Sequence, residues 1–326
     1  MVPGSRRIHK LTSSGAVAVV LGGVCLAIVV AAMVGGTAKG TAATGRADTA
    51  AGPAPKKGLT KGVGIFLLGE PYGKATGHDR YAYVVVDRGH AHGAAALPGT
   101  TLVYMSAVDN ARFNTGVSRA QALAAGWLVR DANGQFVESR GYPGVYLNDV
   151  GNPAFQQAWL ANVLQFLQST HVDGVYIDNI LSDIRPWTKE HVPLTTYADP
   201  AVWRAAMLSF LQAVTPALRA RGYYVLVNAV GYTRGDPRYD DGSLTVDWWR
   251  QVGPLVSGLL TEYWMQNPET LSQLRAAGPA WYQEWQGWQR LVSVAQSTGA
   301  DFFGFTYGSP NDVRTMRFAR GSFLLD

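Results

Sequence analysis

Asp178, Asn228 and Glu262 each close a short apolar run: GVYID at 174–178, YYVLVN at 223–228 and SGLLTE at 257–262. An acid at the end of an otherwise apolar segment is costly to bury unless it has a partner or a task. Two carboxyl groups brought to one place suit hydrolysis of a glycosidic bond. One protonates the leaving oxygen, and the other attacks the anomeric carbon or activates water. Further polar and aromatic groups fall at similar places. Asp87 follows YAYVVV at 81–86, Tyr104 lies within TLVYMS at 101–106, Asn179 follows Asp178, and Tyr263 and Trp264 follow Glu262. Tyr176, two residues before Asp178, shares its face of an extended segment. Aromatic rings stack on the apolar faces of sugars, while hydroxyl and amide groups fix sugar hydroxyls. The plainer alternatives are a loop cap at Asp178, a backbone-bonding amide at Asn228, and wall packing at Tyr263 and Trp264.

These side chains meet only if the segments that carry them lie side by side. Seven apolar runs predict strands: 63–68, 81–86, 101–106, 174–178, 223–228, 257–262 and 301–306. Helical patterns separate them, with the best at 153–170, 200–221 and 279–297, and a C-terminal segment at 312–325. Near-continuous apolar strands alternating with helices predict a parallel sheet covered on its faces, and at this length an α/β fold of the (β/α)8 TIM-barrel type. In such a barrel the C-terminal strand ends face the active site, which selects Asp87, Tyr104, Tyr176, Asp178, Asn179, Asn228, Glu262, Tyr263 and Trp264. Asp173 and Asp301 sit at strand starts and are assigned to turns and caps. The count is irregular, because no eighth strand follows the last helix. GVYLND at 144–149 offers a short strand, preceded by an expected hairpin over 127–137 that turns at Asn133-Gly134.

Other chemistries fit less well. Arg88-Gly89-His90-Ala91-His92 supplies an H-x-H after a strand, the rival reading being a metal-dependent hydrolase using His90 and His92. None of the remaining histidines ends a strand, so no metal and no cofactor are expected. A dinucleotide fingerprint, a phosphate-binding G-x-x-x-x-G-K-[ST] loop and a G-x-S-x-G elbow are all absent from the sequence. A non-catalytic barrel that binds glycan is the second rival. Asp236, Asp240 and Asp241 lie in an expected solvated loop over 232–243. Trp281, Trp285 and Trp288 fall at helical spacing and read as a packing stripe.

The formal charge of +5 divides unevenly. Residues 1–61 hold eight basic groups and one acid, leaving 20 basic and 22 acidic residues and every aromatic in 62–326. The body therefore lacks the basic stripe of a nucleic-acid-binding domain. Arg6, Arg7 and Lys10 precede an uncharged apolar run over 15–36, the pattern of a signal peptide, and roughly 20 apolar residues also suffice for an N-terminal membrane anchor. Export is expected in either case, with 1–36 as leader or anchor, 37–61 as a flexible linker and 62–326 as the catalytic domain. Membrane contact is expected only through that N-terminal segment, if it stays uncleaved. Cys25, the single cysteine, lies within the apolar run, so no disulfide is expected.

VDGVYIDN at 172–179, VLVNA at 225–229 and the later strand ending in Glu262 resemble the family 114 glycoside hydrolases, the endo-α-1,4-polygalactosaminidase-like barrels, and the related hypothetical glycosyl hydrolase family 15. WLVRDANGQFV, YLNDVGNPAFQQAWL at 146–160 and RGSFLL at 320–325 extend the likeness over most of 62–326. The resemblance implies that Asp178, in the DG-x-x-x-D-N motif, and Glu262 are the catalytic pair. Asp178 is then expected as nucleophile or charge stabiliser and Glu262 as general acid/base, on a polysaccharide or oligosaccharide. Two departures stand out: the missing eighth strand, and Ala229 where a glycine after the strand asparagine is common.

Overall fold

The computed structural model describes residues 27–32, 61–67, 81–111, 115–140, 142–189, 193–231, 243–262, 264, 280–306 and 313–324. Its strands in chain order are β1 (Ala27–Ala32), β2 (Lys61–Leu67), β3 (Tyr81–Val86), β4 (Thr100–Ser106), β5 (Asp109–Asn110), β6 (Tyr146–Leu147), β7 (Gly174–Leu181), β8 (Tyr224–Val230), β9 (Gly258–Glu262) and β10 (Asp301–Thr306). The helices are α1 (Ala91–Ala94), α2 (Arg119–Ala125), α3 (Pro153–Thr170), α4 (Pro200–Arg219), α5 (Ser243–Val252), α6 (Ala280–Thr298) and α7 (Val313–Leu324).

The seven apolar runs form seven parallel strands in the order β2-β3-β4-β7-β8-β9-β10. β1 closes the barrel by pairing antiparallel with both β2 and β10. The eighth strand is therefore present, and it comes from the N-terminal apolar run rather than from the chain after the last helix. GVYLND supplies only β6, which lies outside the barrel and pairs with β5. The expected hairpin forms as an antiparallel bridge between Arg130 and Phe136, with Gly134 at φ 77° in the turn.

Helix ends follow their capping chemistry. Asn152 caps α3 by accepting from the backbone N–H groups of Ala154 and Phe155, and Asp199 caps α4 through Ala201. Each helix has proline in its first turn, where the missing N–H costs nothing. α5 begins in the segment read from sequence as a loop. Its SLTVDWWRQV is rich in β-branched and aromatic residues, whose helix propensity is low, although its apolar residues share one helical face.

Period-two alternation sorts the strand residues onto two faces. Outward side chains, among them Val84, Val103, Val175, Val225 and Leu259, pack under the helices. Inward ones form a separate plug of Tyr83, Val85, Leu102, Tyr176, Leu226, Leu260, Phe303 and Phe305. Phe66 meets Tyr176 and Phe305 edge-on at 5.1 and 5.0 Å between ring centroids. One alternation further along β4, β7, β8 and β9, the inward positions become Tyr104, Asp178, Asn228 and Glu262. The apolar plug is thus the floor on which the polar group stands.

Candidate active site

Asp178 does not end its strand. β7 continues to Leu181, and its register with β8 shifts between Ile177 and Ile180. Asn179 lies in that shift with φ 62°, a left-handed conformation that asparagine tolerates better than most residues. The ladder is interrupted here, and buried indoles take up the backbone carbonyls nearby. Trp248 donates Nε1–H to Ile180 at 2.9 Å, Trp203 to Leu181 at 2.9 Å and Trp249 to Ala229 at 2.7 Å. An unpaired buried carbonyl would cost roughly 1–3 kcal/mol, so these indoles stabilise the irregular strand ends that carry the site.

The polar group converges on the Asp178 carboxylate. Tyr104 donates its hydroxyl to Oδ2 at 2.7 Å, while Oδ1 accepts the Asn228 amide at 3.0 Å and the Asn179 backbone N–H at 2.8 Å. The Tyr176 hydroxyl reaches Oδ1 at 3.4 Å. Asn228 Nδ2 also donates to Glu262 Oε1 at 3.2 Å, so one amide joins the two acids. Asp178, Asn179 and Glu262 are half-buried, whereas Asn228 is buried. With both neighbours carboxylates, the NH2 end of Asn228 must face them. Its Oδ1 is buried and has no hydrogen-bond partner among the described residues. Burial, followed by the Asp178 charge and the hydrogen bond to it, raises the Tyr104 hydroxyl well above its ordinary value. Tyr104 therefore stays a proton donor to Asp178 across the physiological range.

Six of the residues selected from sequence thus stand together: Tyr104, Tyr176, Asp178, Asn179, Asn228 and Glu262. The other three differ. Trp264 is buried in the wall, 1% exposed, with its ring against Phe302 at 4.8 Å between centroids, so no face is open for stacking on a sugar. Asp87 precedes a single helical turn and pairs with His90 Nδ1 at 2.9 Å. Tyr263 lies outside the described residues, as do Asp236, Asp240 and Asp241. His92 is exposed, and among the described residues no three His, Cys, Asp or Glu side chains gather as a metal site. Asp173 and Asp301 act at the opposite end of the barrel. Asp173 accepts from the Thr101 N–H at 2.8 Å, and Asp301 accepts from the Tyr224 hydroxyl at 2.6 Å. Trp285 and Trp288 pack against the core, as the stripe predicts, while nothing is described of the Trp281 side chain.

Sequence reasoning missed Asp109. It follows β4 by three residues, is 8% exposed, and accepts the Asn179 side-chain amide at 2.5 Å. Burial, with the Asp178 charge adding to it, pushes its carboxyl up to about 6, although Ser139 and Asn179 draw it back down. The available signal was VDN immediately beyond a strand already in the barrel.

Residues 101–326 match the model of a family described as hypothetical glycosyl hydrolase family 15. Among solved structures, Ega3 of Aspergillus fumigatus, in complex with galactosamine, is similar at 16% identity and a TM-score of 0.44. That likeness covers 80% of this chain and 79% of Ega3. The glycoside hydrolase domain of PelA from Pseudomonas aeruginosa is similar at 15% identity and a TM-score of 0.41, over 74% of this chain and 93% of that domain. No curated protein matches the chain.

Proposed function

The chain belongs to the hypothetical glycosyl hydrolase family 15 and is a glycoside hydrolase, and from that premise we propose that Asp178 and Glu262 are its catalytic pair, acting on a polysaccharide. The observation that carries this reading is the single Asn228 amide that bonds both carboxylates. Two oxygens at 3.0 and 3.2 Å from one nitrogen lie within about 6 Å of each other. That separation favours a retaining reaction, in which the carboxyls stand about 5–5.5 Å apart, over an inverting one at about 6.5–9.5 Å.

In this scheme Asp178 is the nucleophile. Three donors, Tyr104, Asn228 and the Asn179 N–H, hold its carboxylate and aim it. Glu262, bonded by the same Asn228 amide, protonates the leaving oxygen and later deprotonates the incoming water. Export through the apolar run at 15–36 would bring the enzyme to an extracytoplasmic polymer. Among the described residues no helix is long and apolar enough to cross a membrane.

The test is release of reducing ends from a panel of α- and β-linked polysaccharides that includes α-1,4-linked galactosaminan. Asp178→Asn and Glu262→Gln should each lower kcat by at least about a thousandfold on whichever polymer the parent cleaves. Full activity in both variants would end the assignment, and glycan binding without product would favour a non-catalytic barrel.

A further inference from the structure

We propose that Asp109 is a positioning residue, which by holding the Asn179 side chain fixes the turn that aims the Asp178 carboxylate. The inference rests on Asp178 being the nucleophile, and it extends the site to a residue that does not itself touch substrate.

The geometry runs through three residues. Asn179 and His171 are the non-glycine residues with positive φ among those described. His171 merely closes α3, where left-handed residues are common. Asn179 instead sits within a strand, where such a conformation must be held by its surroundings. The hold comes from both ends of the residue. Its backbone N–H lies on Asp178 Oδ1 at 2.8 Å, and its side-chain amide lies on Asp109 Oδ2 at 2.5 Å. Rotating Asn179 back into the extended region would withdraw the N–H from Asp178 and leave Oδ1 to Asn228 and the more distant Tyr176 hydroxyl.

Asp109 is itself fixed. Its N–H donates to Ser106 Oγ at 2.9 Å, and it pairs with Leu147 across the two-stranded sheet of β5 and β6. Ser106 stands opposite Asp178 in the β4–β7 register, and the Ala107 N–H donates to the Asp178 carbonyl at 3.2 Å. The short sheet outside the barrel is thereby tied to the strand that carries the nucleophile. The groups around the Asp109 carboxylate are the Asp178 carboxylate from β7, the Tyr104 hydroxyl from β4, and the Ser139 hydroxyl. Arg119 Nη2 donates to the carbonyls of Asn110 and Gly144. A carboxylate so buried, close to another acid, is a costly way to satisfy one amide. Its charge makes the bond to Asn179 stronger than a neutral acceptor would.

The experiment is a double-mutant cycle on the full chain with the polysaccharide that the parent cleaves. Asp109→Ala and Asn179→Gly should each lower kcat at least about tenfold with KM within about threefold. The double variant should be no slower than the slower single one, because both remove the same link. Asp109→Asn, which retains an acceptor for Asn179, should recover kcat to within about threefold of the parent. Parent-level kcat in Asp109→Ala, multiplying losses, or an Asp109→Asn variant as slow as Asp109→Ala would each overturn the proposal. A crystal structure of Asp109→Ala gives a readout free of activity: Asn179 should leave positive φ, and an unchanged Asn179–Asp178 bond refutes the link. If the parent cleaves nothing, or Asp178→Asn keeps full activity, the catalytic assignment fails, and the crystal structure still decides the link.

Discussion

Asp178 and Glu262 accept hydrogen bonds from the same nitrogen, Asn228 Nδ2, at 3.0 and 3.2 Å. The amide holds two like charges at a set separation while placing positive hydrogens between them, which an apolar or acidic residue could not do. Asn228→Ala should lower kcat about 10- to 100-fold. Asn228→Asp should lose more, because a third carboxylate at that point repels both acids. Steady-state kinetics with both variants would test the ordering, and equal losses would argue against a role for the amide hydrogens.

The same shared donor predicts stereochemistry. Carboxylate oxygens within about 6 Å leave no room for a water between acid and sugar, so the product anomer should match the substrate anomer. Proton NMR of the first turnovers, before mutarotation, reads this directly. An inverted anomer would show that the two carboxyls move apart when substrate binds.

Stability should respond to Asp109 in the direction opposite to catalysis. Its carboxyl is raised from 3.8 to about 6, so the folded state binds the proton more tightly than the unfolded chain. The stabilisation this gives is complete below about pH 4 and is lost as pH rises through 6. A shift of roughly two units corresponds to at most about 3 kcal/mol. Asp109→Asn cannot ionise, so its Tm should exceed that of the parent at pH 8 and approach it at pH 4.5. Thermal melts across that range check the sign. A lower Tm at pH 8 would mean that the ionised carboxylate is a net stabiliser.

The strand runs and their polar ends were legible because the barrel is parallel. Strands buried on both faces read as continuous apolar segments, and inward alternation carries Tyr104, Asp178, Asn228 and Glu262 to one mouth. The same rule failed for Trp264, since a residue beyond a strand end has no fixed face, and this one turned into the wall against Phe302. Asp109 was hidden for a related reason. It belongs to a two-residue strand outside the barrel, and its partner Asn179 reaches it only because the strand register shifts at a left-handed residue. No local pattern announces a bulge that depends on a partner 70 residues away. Trp203, Trp248 and Trp249 escaped likewise, because an indole that bonds a backbone carbonyl looks in sequence like any other core aromatic.

Ala27–Ala32 cannot close the barrel as β1 and also lie in a bilayer or leave with a leader. In the structure these residues fill the gap between β2 and β10. An apolar run behind Arg6, Arg7 and Lys10 fits export better than it fits a barrel strand, since a strand needs only about five or six residues and this run has roughly 20. A chain beginning at residue 37 should therefore unfold in one cooperative transition and keep the kcat of the full-length protein. β2 and β10 would then be edges. Thermal unfolding and reducing-end assays on the two chains decide the matter. A non-cooperative melt with lost activity would make Ala27–Ala32 an integral strand, and N-terminal sequencing of the mature protein would then have to find it retained.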